Sequence, residues 1–216
     1  LDAARQLGAE DAPDLWHCEW TPYAETLRQL SDAQSLRAPW IVMAHNVESL
    51  IWQRYAETES SPLKRWYIRR QMRKYERFEK GAYSACECPI AVSEPDARLM
   101  SERFGALSVA VVDNGVDTGF FAPDPRTVRD PFRLMFLGGL DWRPTLDAVR
   151  MLVENIFPRI RAAEPRAKLD LVGRRPPLWL REQTARAPGV SLHADVADVR
   201  PFLHEAGMMV VPLRIG

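Results

Sequence analysis

Arg133-Leu134-Met135-Phe136-Leu137-Gly138-Gly139-Leu140-Asp141-Trp142-Arg143-Pro144 decides the fold. Residues 133–137 are a short run that is apolar on both faces, as a parallel strand covered by helices should be. A glycine pair follows, and then a long amphipathic pattern. Over 144–163, Leu146, Val149, Met151, Leu152, Val153, Ile156 and Ile160 recur at helical spacing. The order strand, Gly-Gly turn, helix is one half of a βαβ unit.

The same alternation runs outward from this point. Strands are expected at Asp14–Glu19, Pro39–Ala44, Pro89–Val92, Val109–Val112, Lys168–Val172, Val190–Leu192 and Met208–Leu213. Helices are expected at about 22–35, 47–59, 62–84, 95–104, 144–163, 177–186 and 198–206, with Asp195 or Asp198 capping the last. Such βα alternation predicts an α/β fold of two Rossmann-like, doubly wound parallel-sheet domains. Asn114-Gly115-Val116-Asp117 and the prolines 123, 125 and 131 mark a linker at 114–131. The domains are then 1–113 and 132–216. The buried run Met208–Leu213 leads straight to Gly216, and the first residues read as the tail of a helix. Both termini therefore look like cuts through folded units, leaving both domains incomplete.

Composition removes several function classes. The chain has 216 residues, with 46% apolar and 27% charged, enough for a core and unlike a disordered tail. Lys+Arg and Asp+Glu are both 29, so no protein-wide field steers it to nucleic acid or membrane. Apolar runs are far shorter than the roughly 20 residues a membrane span needs. Leu1-Asp2-Ala3-Ala4-Arg5 opens no secretory signal. Cys18, Cys86 and Cys88 lack zinc spacing and are odd in number, which favours reduced thiols.

Three turns could carry ligands. Gly138-Gly139 can admit a phosphate to backbone N–H groups at a helix N-terminus, with Arg143 adding charge; it can equally be an ordinary βα turn. His45, in Ala44-His45-Asn46-Val47-Glu48, stands at a strand's C-terminal end, where open α/β sheets place ligands. There it can donate to a sugar or phosphate oxygen, or it can be a solvated histidine beside a capping Asn46. Gly173, before Arg174 and Arg175, can let a ligand ring lie on the backbone, or simply turn. Residues 61–84 form a basic amphipathic helix. Lys64, Arg65, Arg69, Arg70, Arg73, Lys74, Arg77 and Lys80 face only Glu76 and Glu79, with Trp66 and Tyr67 interleaved. Such a face suits anionic lipid or a packed, solvated surface. No nucleophile elbow, metalloprotease motif or carboxylate pair is evident.

The order of the motifs carries a resemblance. His45-Asn46-Val47-Glu48, Ala91-Val92-Ser93-Glu94, Val112-Asp113-Asn114-Gly115-Val116-Asp117, the Gly138-Gly139 stretch, Leu171-Val172-Gly173 and Val211-Pro212-Leu213-Arg214-Ile215-Gly216 follow one another along nearly the whole chain. The series resembles the group 1 (family 4) retaining glycosyltransferases of the GT-B fold, most of all the branch tied to bacterial exopolysaccharide and exosortase loci. The resemblance implies transfer of a sugar, with retention and no required metal or cofactor, from a nucleotide-sugar to a glycan or lipid-linked acceptor in polysaccharide biosynthesis. It implies a cleft between the two domains, with the donor held by the second. Gly138, Gly139, Arg143, Gly173, Arg174, Arg214 and Gly216 would then be donor-binding, Arg143 standing near the family's usual phosphate-binding lysine. His45 would be catalytic at the transferred sugar, and Asn46, Glu48, Asn114 and Gly115 would serve the acceptor side or hinge. A cytoplasmic protein, peripheral on the inner membrane face through residues 61–84, fits this reading. The family's second glycine-rich loop and its E-x7-E region would follow Gly216, so the 216-residue piece is expected to be inactive and to bind donor weakly. A nucleotide-sugar epimerase of the same architecture, and a non-catalytic membrane- or partner-binding module using 61–84, are the alternatives.

Overall fold

The computed structural model describes residues 13–32 and 38–214. The expected helix tail before residue 13, positions 33–35 of the first helix, and Gly216 lie outside them. The chain divides into two compact units between Gly115 and Val116.

In the first unit, β1 (Trp16–Cys18), β2 (Trp40–Ala44), β3 (Cys88–Ala91) and β4 (Ala110–Val111) form a parallel sheet in that order. A 3-10 turn (Thr21–Tyr23) leads into α1 (Ala24–Asp32); α2 (Glu48–Thr58) and α3 (Pro62–Ala85) cross from β2 to β3, and α4 (Glu94–Phe104) from β3 to β4. Local chemistry sets α4 closely. The Ser93 hydroxyl accepts the Asp96 N–H at its start, and Gly105, at φ 67°, ends it in the left-handed region. Trp40, Val42, Ala44, Tyr83, Ala91, Met100 and Phe104 are buried in the core.

In the second unit, β5 (Asp130–Leu137), β6 (Lys168–Gly173), β7 (Val190–Ala194) and β8 (Ala206–Met209) are parallel in the order β7-β6-β5-β8. β5 therefore begins inside the expected linker. Helices cover both faces of this sheet. Leu134, Phe136, Leu169 and Leu171 pack on α5 (Arg143–Met151), α6 (Phe157–Ala163) and α7 (Leu178–Arg186), while Met135 and Val172 meet α8 (Arg200–Glu205). This is a doubly wound α/β arrangement. One buried polar residue interrupts the apolar strands. Asp170 on β6 accepts from Arg133 on β5 at 2.9 Å and contacts His193 on β7 at 2.8 Å, tying three strands together.

Three expectations need correction. The segment 144–163 is helical throughout but not α-helical throughout: residues Leu152–Ile156 form a π turn, with the Phe157 N–H reaching the Leu152 carbonyl. Pro158 explains it, because proline cannot donate to the preceding turn and the chain detours around the missing bond. The run Met208–Leu213 is not a buried strand. The strand ends at Met209, and Met208 and Met209 are exposed because β8 pairs only with β5 among the described residues. Neither Asp195 nor Asp198 occupies the N-cap of α8; Val199 does. Asp198 accepts the Arg200 N–H at 2.9 Å instead, and Asp195 serves the β6 loop.

Candidate functional site

In the second unit the loops leaving β5, β6 and β7 meet at one sheet edge. Gly138 N–H donates to Val172 O at 3.1 Å, Leu140 N–H to Arg174 O at 3.1 Å, and Asp195 N–H to Gly173 O at 3.0 Å. Gly173 is required by this packing. A methyl group there would overlap the Gly138 carbonyl oxygen and stand 2.8 Å from Leu140 Cγ. Its glycine is thus explained by one backbone lying on another. Gly138 is less constrained: a Cβ there would stand 3.1 Å from the Thr145 methyl.

Directly after this turn α5 begins at Arg143, and its N-terminus brings partial positive charge to the edge. Trp142 occupies its N-cap without a side-chain bond, and Pro144 has no N–H to give. Four arginines gather here, and the aspartates sort them. Arg175 pairs with Asp141, while its N–H donates to Asp195 at 2.7 Å from a left-handed backbone at φ 51°. Arg214, after β8, grips Asp147 of α5 through two bonds of 3.0 and 2.6 Å. Arg143 is exposed at the helix start. Arg174 is exposed with no acidic partner among the described residues, and its Nε lies 3.9 Å from a Cβ placed on Gly139. The edge therefore offers a glycine turn, a helix N-terminus and an uncommitted guanidinium. That set is suited to an anion with several oxygens. Six of the seven expected residues of this group meet at the edge; the seventh, Gly216, lies outside the described residues.

The first unit has its own polar edge. Glu19 and His45 follow the parallel strands β1 and β2, and His45 Nε2 lies 3.1 Å from Glu19 Oε1. His17 Nε2 is 3.4 Å from the other oxygen of that carboxylate. The Trp20 indole N–H donates to Glu48 Oε1 at 3.1 Å. Burial pushes the Glu48 carboxyl above its ordinary pKa. Asn46 is exposed and does not cap α2; Val47 holds that position. The cap arrives from α3. Glu79, fully buried, accepts the Glu48 N–H at 2.6 Å and the Ser49 N–H at 3.2 Å. Asn114 and Gly115 are exposed after β4, at the same sheet end.

Sequence reasoning missed Glu79, Glu19 and Arg175. Only Glu79 left a signal. It falls on the helical stripe of Ile68, Ala82 and Tyr83, the buried face of α3. The three thiols are free, as expected, and burial pushes Cys86 up to about 12.

The basic face of α3 forms an open groove of about 450 Å³ lined by Pro62, Arg65, Trp66, Arg69, Arg70 and Arg73. Leu63, Trp66 and Tyr67 are exposed beside it. No helix among the described residues is long and apolar enough to cross a membrane.

Comparisons with known proteins agree with one another. The profile described as Glycosyltransferase Family 4 matches residues 1–120, and that described as Glycosyl transferases group 1 matches residues 131–216. Curated proteins yield no match. Among solved structures, sucrose-phosphate synthase from Thermosynechococcus elongatus superposes with a TM-score of 0.73 at 18% identity, covering 99% of this chain and 53% of that one. A pneumococcal O-GlcNAc transferase complexed with UDP and GlcNAc gives 0.58 at 14% identity, over 94% of this chain and 38% of that one. A UDP-forming alpha,alpha-trehalose-phosphate synthase from Burkholderia vietnamiensis gives 0.54 at 17% identity, over 93% and 50%. The chain thus spans about half the length, or less, of the solved structures it matches.

Proposed function

The chain belongs to glycosyltransferase family 4, and from that membership we propose that it is the part of a sugar transferase whose second unit holds a nucleotide-sugar donor and whose first unit serves the acceptor. The observation that carries this reading is the edge of the second sheet. There the Gly138-Gly139 turn, the α5 N-terminus and Arg174, which has no acidic partner among the described residues, converge. A donor diphosphate gains charge as its sugar departs. Fixed N–H dipoles and a guanidinium stabilise that charge without reorganising, usually the main source of rate enhancement in such catalysis. Arg143 and Arg174 are the cations of this proposal; Arg214 and Arg175, tied to Asp147 and Asp141, shape the edge. In the first unit His45 is the catalytic residue of this proposal, with Glu19 3.1 Å from its ring and Glu48 held by Trp20. Transfer proceeds with retention and without a metal, in polysaccharide assembly. The pneumococcal neighbour, which binds UDP and GlcNAc, supports this general kind of ligand.

The α3 groove supports a second element of the reading. Arg69, Arg70 and Arg73 beside exposed Leu63 and Trp66 fit an anionic lipid surface, where a lipid-linked acceptor would be met.

Calorimetric titration with UDP-glucose and with GDP-mannose tests the donor site. Binding should be weakened by Arg174→Ala. Binding indifferent to Arg174→Ala would remove the proposed site.

A further inference from the structure

Among the described residues, Glu79 is the one carboxylate of the first unit with no exposed surface, and it lies in an otherwise basic helix. It does nothing for the outer face of that helix. It reaches across to α2 and accepts its first two N–H groups, from Glu48 at 2.6 Å and from Ser49 at 3.2 and 3.4 Å. Those are donors that no residue near Val47 satisfies, since α2 has no side-chain N-cap. The turn so fastened is His45–Glu48.

Around this carboxylate stand hydroxyls with no well-aligned hydrogen-bond partner among the described residues. Thr21 Oγ1, Ser49 Oγ and the Tyr83 phenol are all buried in this state. Ser49 and Tyr83 adjoin Glu79, and Thr21 adjoins Tyr83. A hydroxyl rotates to donate or to accept. The surroundings can therefore satisfy Glu79 with a proton on it or without.

We propose that Glu79 is the positioning residue of the His45–Glu48 turn: as a carboxylate it clamps the start of α2, and on taking a proton from solvent it loosens that clamp. Protonation turns one oxygen into an O–H donor toward a neighbouring hydroxyl and leaves a single neutral oxygen to accept two N–H groups. The helix N-terminus loses its compensating negative charge. Burial, set against these N–H bonds, pushes the group up to about 7, so both states are populated near neutral pH. The titratable groups facing it are Glu48 from α2 and Tyr83 from its own helix. Cys86 lies beyond Tyr83, and the 3-10 turn contributes only the neutral hydroxyl of Thr21. The functional weight of the clamp rests on the proposed role of His45; the clamp itself does not.

The test is a pH titration of the whole chain by amide NMR from pH 5 to 9, without substrate. The Glu48 and Ser49 amide protons should move downfield together as pH rises, with one midpoint near 7. The His45 ring signals should carry an inflection at that same midpoint. Glu79→Gln should abolish the common transition. Glu79→Asp, one methylene shorter, should keep a transition of reduced amplitude, and it stands in if the glutamine variant does not fold. Flat Glu48 and Ser49 amides in the parent chain, a transition that persists in Glu79→Gln, or a His45 signal blind to the substitution would each overturn the proposal. Nucleotide binding by the second unit reports on the donor reading separately.

Discussion

Replacing Gly173 with alanine should damage the second unit far more than replacing Gly138. The added methyl at position 173 would overlap the Gly138 carbonyl oxygen, 3.2 Å from its carbon and 2.8 Å from Leu140 Cγ. The obstacle is backbone and cannot rotate away. The Gly138-Gly139 turn must lift, which costs the Gly138 N–H bond to Val172 O at 3.1 Å. Overpacking costs about 1–3 kcal/mol and the lost bond about 1 kcal/mol. A total of about 3 kcal/mol lowers the melting point of a unit this size by on the order of 15 °C. At Gly138 the added methyl meets the Thr145 methyl at 3.1 Å and the Phe136 ring at 3.3 Å, side-chain atoms able to yield, and less than about 1 kcal/mol is expected. Differential scanning calorimetry of both variants reads the contrast. Equal melting points for Gly173→Ala and the parent chain would refute the packing argument, and would return Gly173 to the role of a ligand-facing glycine.

Charge and burial govern the other expected outcomes. Glu79 has a folded pKa near 7 against an ordinary 4.5, so its contribution to stability is full below about pH 4.5 and lost as pH rises through 7. That loss is about 3 kcal/mol, and Glu79→Gln should remove it from the pH dependence of chemical denaturation; parallel pH profiles would contradict it. Asp170→Ala removes the bonds to Arg133 and His193 that tie three strands, at an expected cost of about 2 kcal/mol by urea denaturation, whereas a neutral result would deny that the pairing is structural. Reversing Arg69, Arg70 and Arg73 to glutamate should abolish sedimentation with phosphatidylglycerol vesicles at low salt; undiminished binding would dismiss the α3 groove as a lipid surface. Cys86, held at about 12 by burial, should resist iodoacetamide at pH 8 in the folded chain and react on unfolding.

Much of the fold was legible because its signals are local. Residues 133–144 show a two-faced apolar strand, a glycine turn and a helix start, and all three stand where they were read. Ser93 and Gly105 bracket α4 by chemistry visible in the sequence. The π turn at Leu152–Ile156 was written into Pro158, yet the apolar stripe alone continues smoothly through it. The exposure of Met208 and Met209 was not legible, since it depends on which strand lies beside β8. At the candidate site the sequence placed the residues at the sheet edge, but the contacts they make there depend on the tertiary fold. Gly173 makes room for Gly138, and Arg214 is claimed by Asp147, a partner 67 residues away. Glu79 caps a helix that starts 31 positions earlier, a pairing that only the tertiary fold creates.

The most direct test of the central claim is an amide NMR titration of the chain with UDP and with GDP, repeated on Arg174→Ala. Shifts concentrated at Gly138, Gly139 and Arg174, with affinity for one nucleotide reduced about tenfold by the substitution, are the predicted result; tenfold corresponds to about 1.4 kcal/mol, the scale of one charge-assisted bond. A folded chain whose Gly138–Arg143 amides ignore both nucleotides, or respond equally with and without Arg174, would contradict the assignment of this edge to a sugar donor's diphosphate.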